Sequence, residues 1–165
     1  MSYRLPFVEV HLVDHCNHTC RWYHNYSPHS PKREYKAEEY FEGLDLLRAN
    51  DVDLNSISLM GGEPFLHSDL VGFADAMLAR YQRPLVLTSN GFWLSVDNIH
   101  IYTDLWPRLW MLKISRYPSI EARLGDEANI LPLFDIIKRY NPDIHIMWPD
   151  KFKFNELKFF AEPRE

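Results

Sequence analysis

Cysteine is scarce in this chain: Cys16 and Cys20 are the only two among 165 residues. A framework of several disulfides is therefore excluded, and a single bridge across so short a loop is disfavoured in a reducing compartment. Metal or cluster ligation is the chemistry that such a close thiol pair supports there. Long apolar runs are also missing, so no stretch reads as a membrane-crossing helix. The opening residues, Met1 to Pro6, lack the charged-then-apolar pattern of a secretory signal. A cytoplasmic protein with no membrane partner is the expectation. The formal charge of -5, with basic residues scattered rather than striped, argues against a nucleic-acid partner. No Lys-Ser/Thr pair follows Gly61-Gly62-Glu63, so this is not a P-loop, and the dinucleotide pattern G-x-G-x-x-G does not occur. Repeats, linkers and low-complexity stretches are absent, which predicts a single domain over residues 1–165. Core-forming material is plentiful: 46% of residues are hydrophobic and 15% aromatic.

Short strand-like stretches alternate with longer helix-like ones. Phe7 to Val13 alternates, with Val8, Val10 and Leu12 on one side and Glu9 and His11 on the other. A polar loop from Asp14 to Lys36 follows, long for a βα connection, which usually signals function or disorder. Ala37, Tyr40, Phe41, Leu44 and Leu47 mark a helix face. Ser56 to Met60 reads as a strand ending in glycines. Ser68 is placed to cap a helix carrying Leu70, Ala74, Met77 and Leu78. Leu85 to Thr88 is a third strand closed by Asn90-Gly91, and Ser95 to about Trp106 reads as a helix. Leu109 to Ser115 is a fourth strand, Pro132 fits the first turn of a helix reaching about Tyr140, and Ile144 to Trp148 is a fifth strand. Asn155 is placed to cap a last short helix. The pattern is β-α repeated, which predicts a parallel sheet, open or curled toward a barrel.

Strand parity assigns the faces. Val10, Leu12, Ile57, Leu59, Leu112 and Ile114 are expected to face the helices. Glu9, His11, Ser58, Lys113, Ser115 and His145 then point inward, with Thr88 and Asn90 at the mouth. So polar a lining suits a ligand chamber better than a packed lumen; the alternative is a set of edge strands with one solvated face.

Two motifs carry the chemistry. Cys16-x-x-x-Cys20-x-x-Tyr23 follows the first strand, and Gly61-Gly62-Glu63-Pro64 follows the second. Both fall at the carboxyl ends of strands, where α/β proteins build their sites. Thiolates are soft ligands suited to iron-sulfur clusters, zinc and copper(I). Five of the eight histidines (His11, His15, His18, His24 and His29) lie in the first thirty residues. A zinc site from Cys16, Cys20 and nearby histidines is therefore a chemically reasonable alternative, and two free thiols in a loop is another.

Taken in register, the two motifs resemble the radical S-adenosylmethionine (SAM) superfamily, whose cluster loop is Cys-x-x-x-Cys-x-x-Cys after the first strand and whose second strand ends in a glycine-glycine-glutamate-proline turn. Trp22 and Asn25 in the loop fit as well, and the order of elements matches over nearly the whole chain. The resemblance implies a partial (β/α) barrel of about five to six parallel strands with outer helices. It implies an oxidoreductase-type enzyme in which one [4Fe-4S] cluster and SAM yield a 5'-deoxyadenosyl radical that abstracts hydrogen from an unidentified substrate, with an external electron donor. Cys16 and Cys20 become cluster ligands. Trp22 flanks the adenine. Gly61, Gly62 and Glu63 receive the methionine ammonium and Pro64 stiffens the turn. Asn90, Ser115 and Arg116 are the matching candidates for ribose or carboxylate contacts.

Two departures stand out. Tyr23 occupies the third ligand position, and a phenol with a pKa of about 10 is a hard oxygen donor that replaces thiolate poorly. His24 is a substitute ligand, a labile or partial cluster is a second outcome, and a catalytically silent SAM-fold binding or partner protein is a third. The predicted strands are also one short of the family's usual core. The apolar end, Phe152, Phe154, Leu157, Phe159 and Phe160, does not close a barrel, so a second copy, a partner chain or a further segment is expected over the open side. No cysteine follows Cys20 to hold an auxiliary cluster.

Overall fold

The computed structural model describes residues 3–18 and 29–148. Its main sheet has five parallel strands: β2 (Val8–His11), β4 (Ile57–Met60), β5 (Leu85–Ser89), β6 (Leu109–Ile114) and β7 (His145–Met147), side by side in that order. The order never reverses. With right-handed crossovers, each connection then stacks on the same face of the sheet, the winding of a barrel rather than of an open two-faced sheet. The connections carry α1 (Phe41–Ala49), α2 (Leu70–Tyr81), α3 (Val96–Ile101), α4 (Pro118–Leu124) and α5 (Glu127–Tyr140).

The core lies between the sheet and these helices. Val10, Leu12, Ile57, Leu59, Leu85, Leu87, Leu112 and Ile114 are buried there with Leu44, Phe73, Met77, Ile99, Phe134 and Ile137 from the helices. Each strand contributes alternate residues, as the pleat demands. The other face is the more open one, although Ser58 and Val86 in its middle are buried. Glu9 and His145 are exposed, while His11, Met60, Thr88, Met111 and Lys113 are half-buried. Fully buried Trp106 anchors the far end, its indole N–H donating to the Ile99 carbonyl at 3.0 Å.

Several local features differ from the sequence expectations. A second, two-stranded parallel sheet pairs β1 (Tyr3–Leu5) with β3 (Val52–Leu54). These three-residue strands lack a clear alternation, since β1 is exposed throughout, and Asp53 is held by Arg83 (2.5 Å) and Arg4 (3.4 Å). Helix α4 was not expected; it is one short segment between two loops. The cap of α2 is Asp69, whose carboxylate accepts from the Gly72 amide at 3.0 Å, and not Ser68. Ser68 instead gives its hydroxyl and amide to Glu34. The stretch after Ser95 is helical only to Ile101, with a separate 3-10 turn at Trp106–Arg108. Pro132 sits inside α5 rather than in its first turn. The helix continues through the missing N–H because Ile130, Phe134 and Ile137 are packed on the core either side of it. The expected helix after Asn155 lies outside the described residues.

The two faces predict opposite mutational costs. Leu59→Ala, on the helix side, is expected to lower unfolding free energy by about 2–5 kcal/mol in a denaturant titration. Met147→Ser, on the uncovered face, is expected to change it by less than about 0.5 kcal/mol. Equal costs at the two positions would contradict the assignment of faces.

Candidate functional site

The first strand continues past His11 into Leu12 and Val13, and the chain then turns into the thiol loop. At the neighbouring strand end, the glycine turn closes directly on it. The Gly62 amide donates to the Val13 carbonyl at 2.7 Å, and the Glu63 amide donates to the His15 carbonyl at 3.0 Å. Neither glycine can be replaced without moving that loop. Gly61 has φ +138, and a Cβ there would lie 2.5 Å from the Val13 carbonyl oxygen. At Gly62 a Cβ would lie 1.8 Å from the His15 carbonyl oxygen. Glycine is used here for close backbone approach. Cys16 therefore starts from a point fixed against the glycine turn. On its other side the loop's return limb is held by the Tyr35 amide to the Leu12 carbonyl (2.9 Å) and the Asp14 amide to the Arg33 carbonyl (3.1 Å).

Glu63 is wholly buried. Its carboxylate accepts from the Ser89 hydroxyl (2.8 Å), the Phe65 amide (3.2 Å) and the Asn90 amide (2.7 Å). Burial pushes its pKa up to about 7, against the pull of those three donors. Ser89 in turn accepts from the Trp93 indole N–H (2.6 Å) and the Gly91 amide (3.0 Å). Beneath this network lies an aromatic stack, with Phe65 and Trp93 rings 3.9 Å apart and Trp93 and Trp106 rings 5.5 Å apart. The Glu63 side chain thus ties the second strand's turn to the end of the third strand of the sheet. Pro64, buried, opens the 3-10 turn that delivers Phe65 to the stack.

Asn90 joins the same corner to the thiol loop. Its Nδ2 lies 3.4 Å from Cys16 Sγ and donates to Asn17 Oδ1 at 2.8 Å, while its Oδ1 accepts from the Phe92 amide at 2.8 Å. Cys16, Gly61, Gly62, Glu63, Pro64 and Asn90 are therefore one contiguous site. Ser115 lies beside it, its amide donating to the Ser89 carbonyl at 2.9 Å. Arg116 turns to the helix side, 8% exposed, with its guanidinium 3.7 Å from Glu127 and 5.1 Å from the Trp148 ring centroid. Cys20, Trp22, Tyr23, His24 and Asn25 lie outside the described residues. Among the described residues, no three His, Cys, Asp or Glu side chains gather as a metal site.

Ser89, Trp93 and His18 were missed as organisers of this corner. His18 bonds Ser119 at 2.9 Å and packs on Phe92 (4.7 Å) and Tyr117 (5.1 Å), pinning the thiol loop against the ends of β5 and β6; burial lowers its pKa. No spacing rule announces such partners: Ser89 meets Glu63 across 26 positions, and Ser119 meets His18 across 101.

Two outcomes follow. Gly62→Ala is expected to remove exchange protection from the Gly62 and Glu63 amides in hydrogen-exchange measurements while leaving the β5 and β6 amides protected. Glu63 has a folded pKa above its ordinary value, so its contribution to stability is complete below about 4.5 and declines as pH rises through about 7. Glu63→Gln is expected to flatten that part of the stability-pH curve; an unchanged slope would mean that the buried group is not Glu63.

Comparison with known proteins places this arrangement. The chain is 37% identical over 132 residues to a GTP 3',8-cyclase of Nautilia profundicola, covering 75% of this chain and 40% of that protein. Its fold matches BtrN in a complex with AdoMet and 2-DOIA (TM-score 0.60, 19% identity, 88% of this chain and 57% of that one). It also matches Streptococcus suis SuiB bound to precursor peptide SuiA (TM-score 0.59, 15% identity, 98% of this chain and 37% of that one). The chain thus spans well under two thirds of these relatives. Residues 10–114 match the sequence profile of the Radical SAM superfamily, and the chain belongs to that superfamily of enzymes.

Proposed function

We propose that the strand-end site at Cys16, Gly61-Gly62-Glu63-Pro64, Asn90 and Ser115 binds SAM as the cofactor site of a radical SAM enzyme domain. The observation that carries this reading is the pair of backbone bonds seating the glycine turn against the thiol loop. In this reading backbone carbonyls of Gly61 and Gly62 receive the methionine ammonium. Glu63 acts through its charge and by holding the turn, since its carboxylate oxygens already accept three protein donors. Ser115 and the lone pairs of Asn90 Oδ1 face the ribose side, Arg116 backs the β6 corner, and Trp22 supplies an adenine-facing ring.

The cluster is a separate matter. A site-differentiated cubane takes three thiolates and leaves one iron open, and when so held it supplies the electron that cleaves the sulfonium. This chain offers Cys16 and Cys20 and places a phenol, Tyr23, at the third position. The donor set is one thiolate short of such a site. As it stands the chain is a SAM-binding domain; with the third thiolate restored it is the domain that cleaves SAM for hydrogen abstraction.

Isothermal titration of the folded chain with SAM is expected to show saturable binding, weakened at least tenfold by Gly62→Ala. Anaerobic reconstitution with iron and sulfide is expected to load Tyr23→Cys with about four irons per chain and the parent chain with far less. A folded chain that ignores SAM, together with a colourless Tyr23→Cys protein, would sink the reading.

A further inference from the structure

The uncovered face of the sheet carries an unusual set of side chains. Two rows cross it. In the lower row Glu9 pairs with Ser58, Ser58 with Val86, Val86 with Met111 and Met111 with His145. In the upper row His11 pairs with Met60, Thr88 with Lys113 and Lys113 with Met147. The upper row is the nearer to the strand-end site: Thr88 precedes Ser89, and Lys113 stands two residues before Ser115.

Lys113 is the anomaly. It sits on the fourth of five strands, half-buried, flanked in register by Thr88 and Met147. Among the described residues its ammonium has neither a hydrogen bond nor an ion pair. The described salt bridges all involve arginines, to Asp45, Asp53, Asp75, Glu39 and Glu127. The one carboxylate on this face, Glu9, is exposed on the edge strand β2, three strand spacings or about 14 Å across the sheet. Nor do the neighbouring hydroxyls have partners among the described residues: Thr88 is half-buried and Ser58 is 4% exposed. An apolar side chain would suit the middle of a sheet better than a partly desolvated cation without a counter-ion. The unengaged Thr88 hydroxyl stands next to that cation in register, while the Ser58 hydroxyl lies two strands away and one row below.

We infer that this face binds an oxyanion of the substrate, a carboxylate or a phosphate, between the Lys113 ammonium and the Thr88 hydroxyl, with Ser58 one row below. The inference rests on the SAM reading for its direction, because the anion would hold a substrate at the same strand ends as the proposed cofactor site. It deepens that reading by naming an anionic substrate. A lysine ammonium is a point charge that accepts either oxyanion, so the residue alone does not choose between them.

Two small polyanions separate the sources: inorganic triphosphate for a phosphorylated substrate and tricarballylate for a carboxylated one. Each is titrated into the intact chain and followed by amide chemical shifts at Ser58, Thr88 and Lys113. Saturable binding of either probe at those residues is expected, and the preferred probe names the source. Lys113→Met is expected to weaken binding at least tenfold with a melting temperature equal to or above the parent's, and Lys113→Arg to bind within about threefold of the parent. SAM affinity is expected to be the same in all three proteins. Neither probe saturating the parent chain, or Lys113→Met binding like the parent, overturns the inference while intact SAM binding leaves the cofactor reading standing. Anion binding at Lys113 without any SAM binding has the opposite effect.

Discussion

Two amide hydrogen bonds between neighbouring strand ends, Gly62 to Val13 and Glu63 to His15, set the geometry on which the rest depends. They require the backbones to approach where any Cβ would collide, so both positions are glycine for a steric reason. Once the turn is seated, Cys16 leaves from a defined point, and Asn90 can reach it from the third strand of the sheet. The thiol loop is long and polar, but its root is built into the sheet. A loop rooted in this way keeps its reactive group in place without a rigid path along its whole length.

The buried carboxylate of Glu63 extends the constraint sideways. Wholly dehydrated carboxylates are costly unless their lone pairs are filled, and here an amide and a hydroxyl fill one oxygen and a second amide the other. The three donors come from its own turn and from the Ser89-Asn90 corner, so the side chain works as a cross-strand tie. The Phe65, Trp93 and Trp106 rings beneath it exclude water, which strengthens each bond and also raises the cost of the charge. Stability and site geometry therefore draw on the same few atoms.

A sheet wound in one direction has one covered face and one open one. The covered face holds the apolar core; the open face carries Glu9, His11, Thr88, Lys113 and His145 among Met60, Met111 and Met147. Five strands do not close a barrel, so several side chains that would fill a closed lumen remain partly accessible, while Ser58 and Val86 are buried.

Periodicity and motif spacing determined much of this protein. The five main strands and the assignment of Val10, Leu59, Leu112 and their partners to the core follow from alternation, and the helices at Phe41–Ala49, Leu70–Tyr81 and Glu127–Tyr140 from the longer apolar period; both are local properties of the chain. The pairing of a thiol loop with a glycine-glutamate turn also pointed to a shared strand-end site. Short elements escaped notice: β1 and β3 have three residues each, too few to display a period, and Asp69 outcompetes Ser68 as a cap because Glu34 engages the serine from elsewhere. Only tertiary structure decided that Glu63 points into the protein, that Ser89 and Trp93 hold it, that Asn90 reaches Cys16, and that Lys113 stands without a described counter-ion. Those outcomes depend on which distant loops meet, and hydrogen bonds between residues tens of positions apart leave no spacing for a sequence to show.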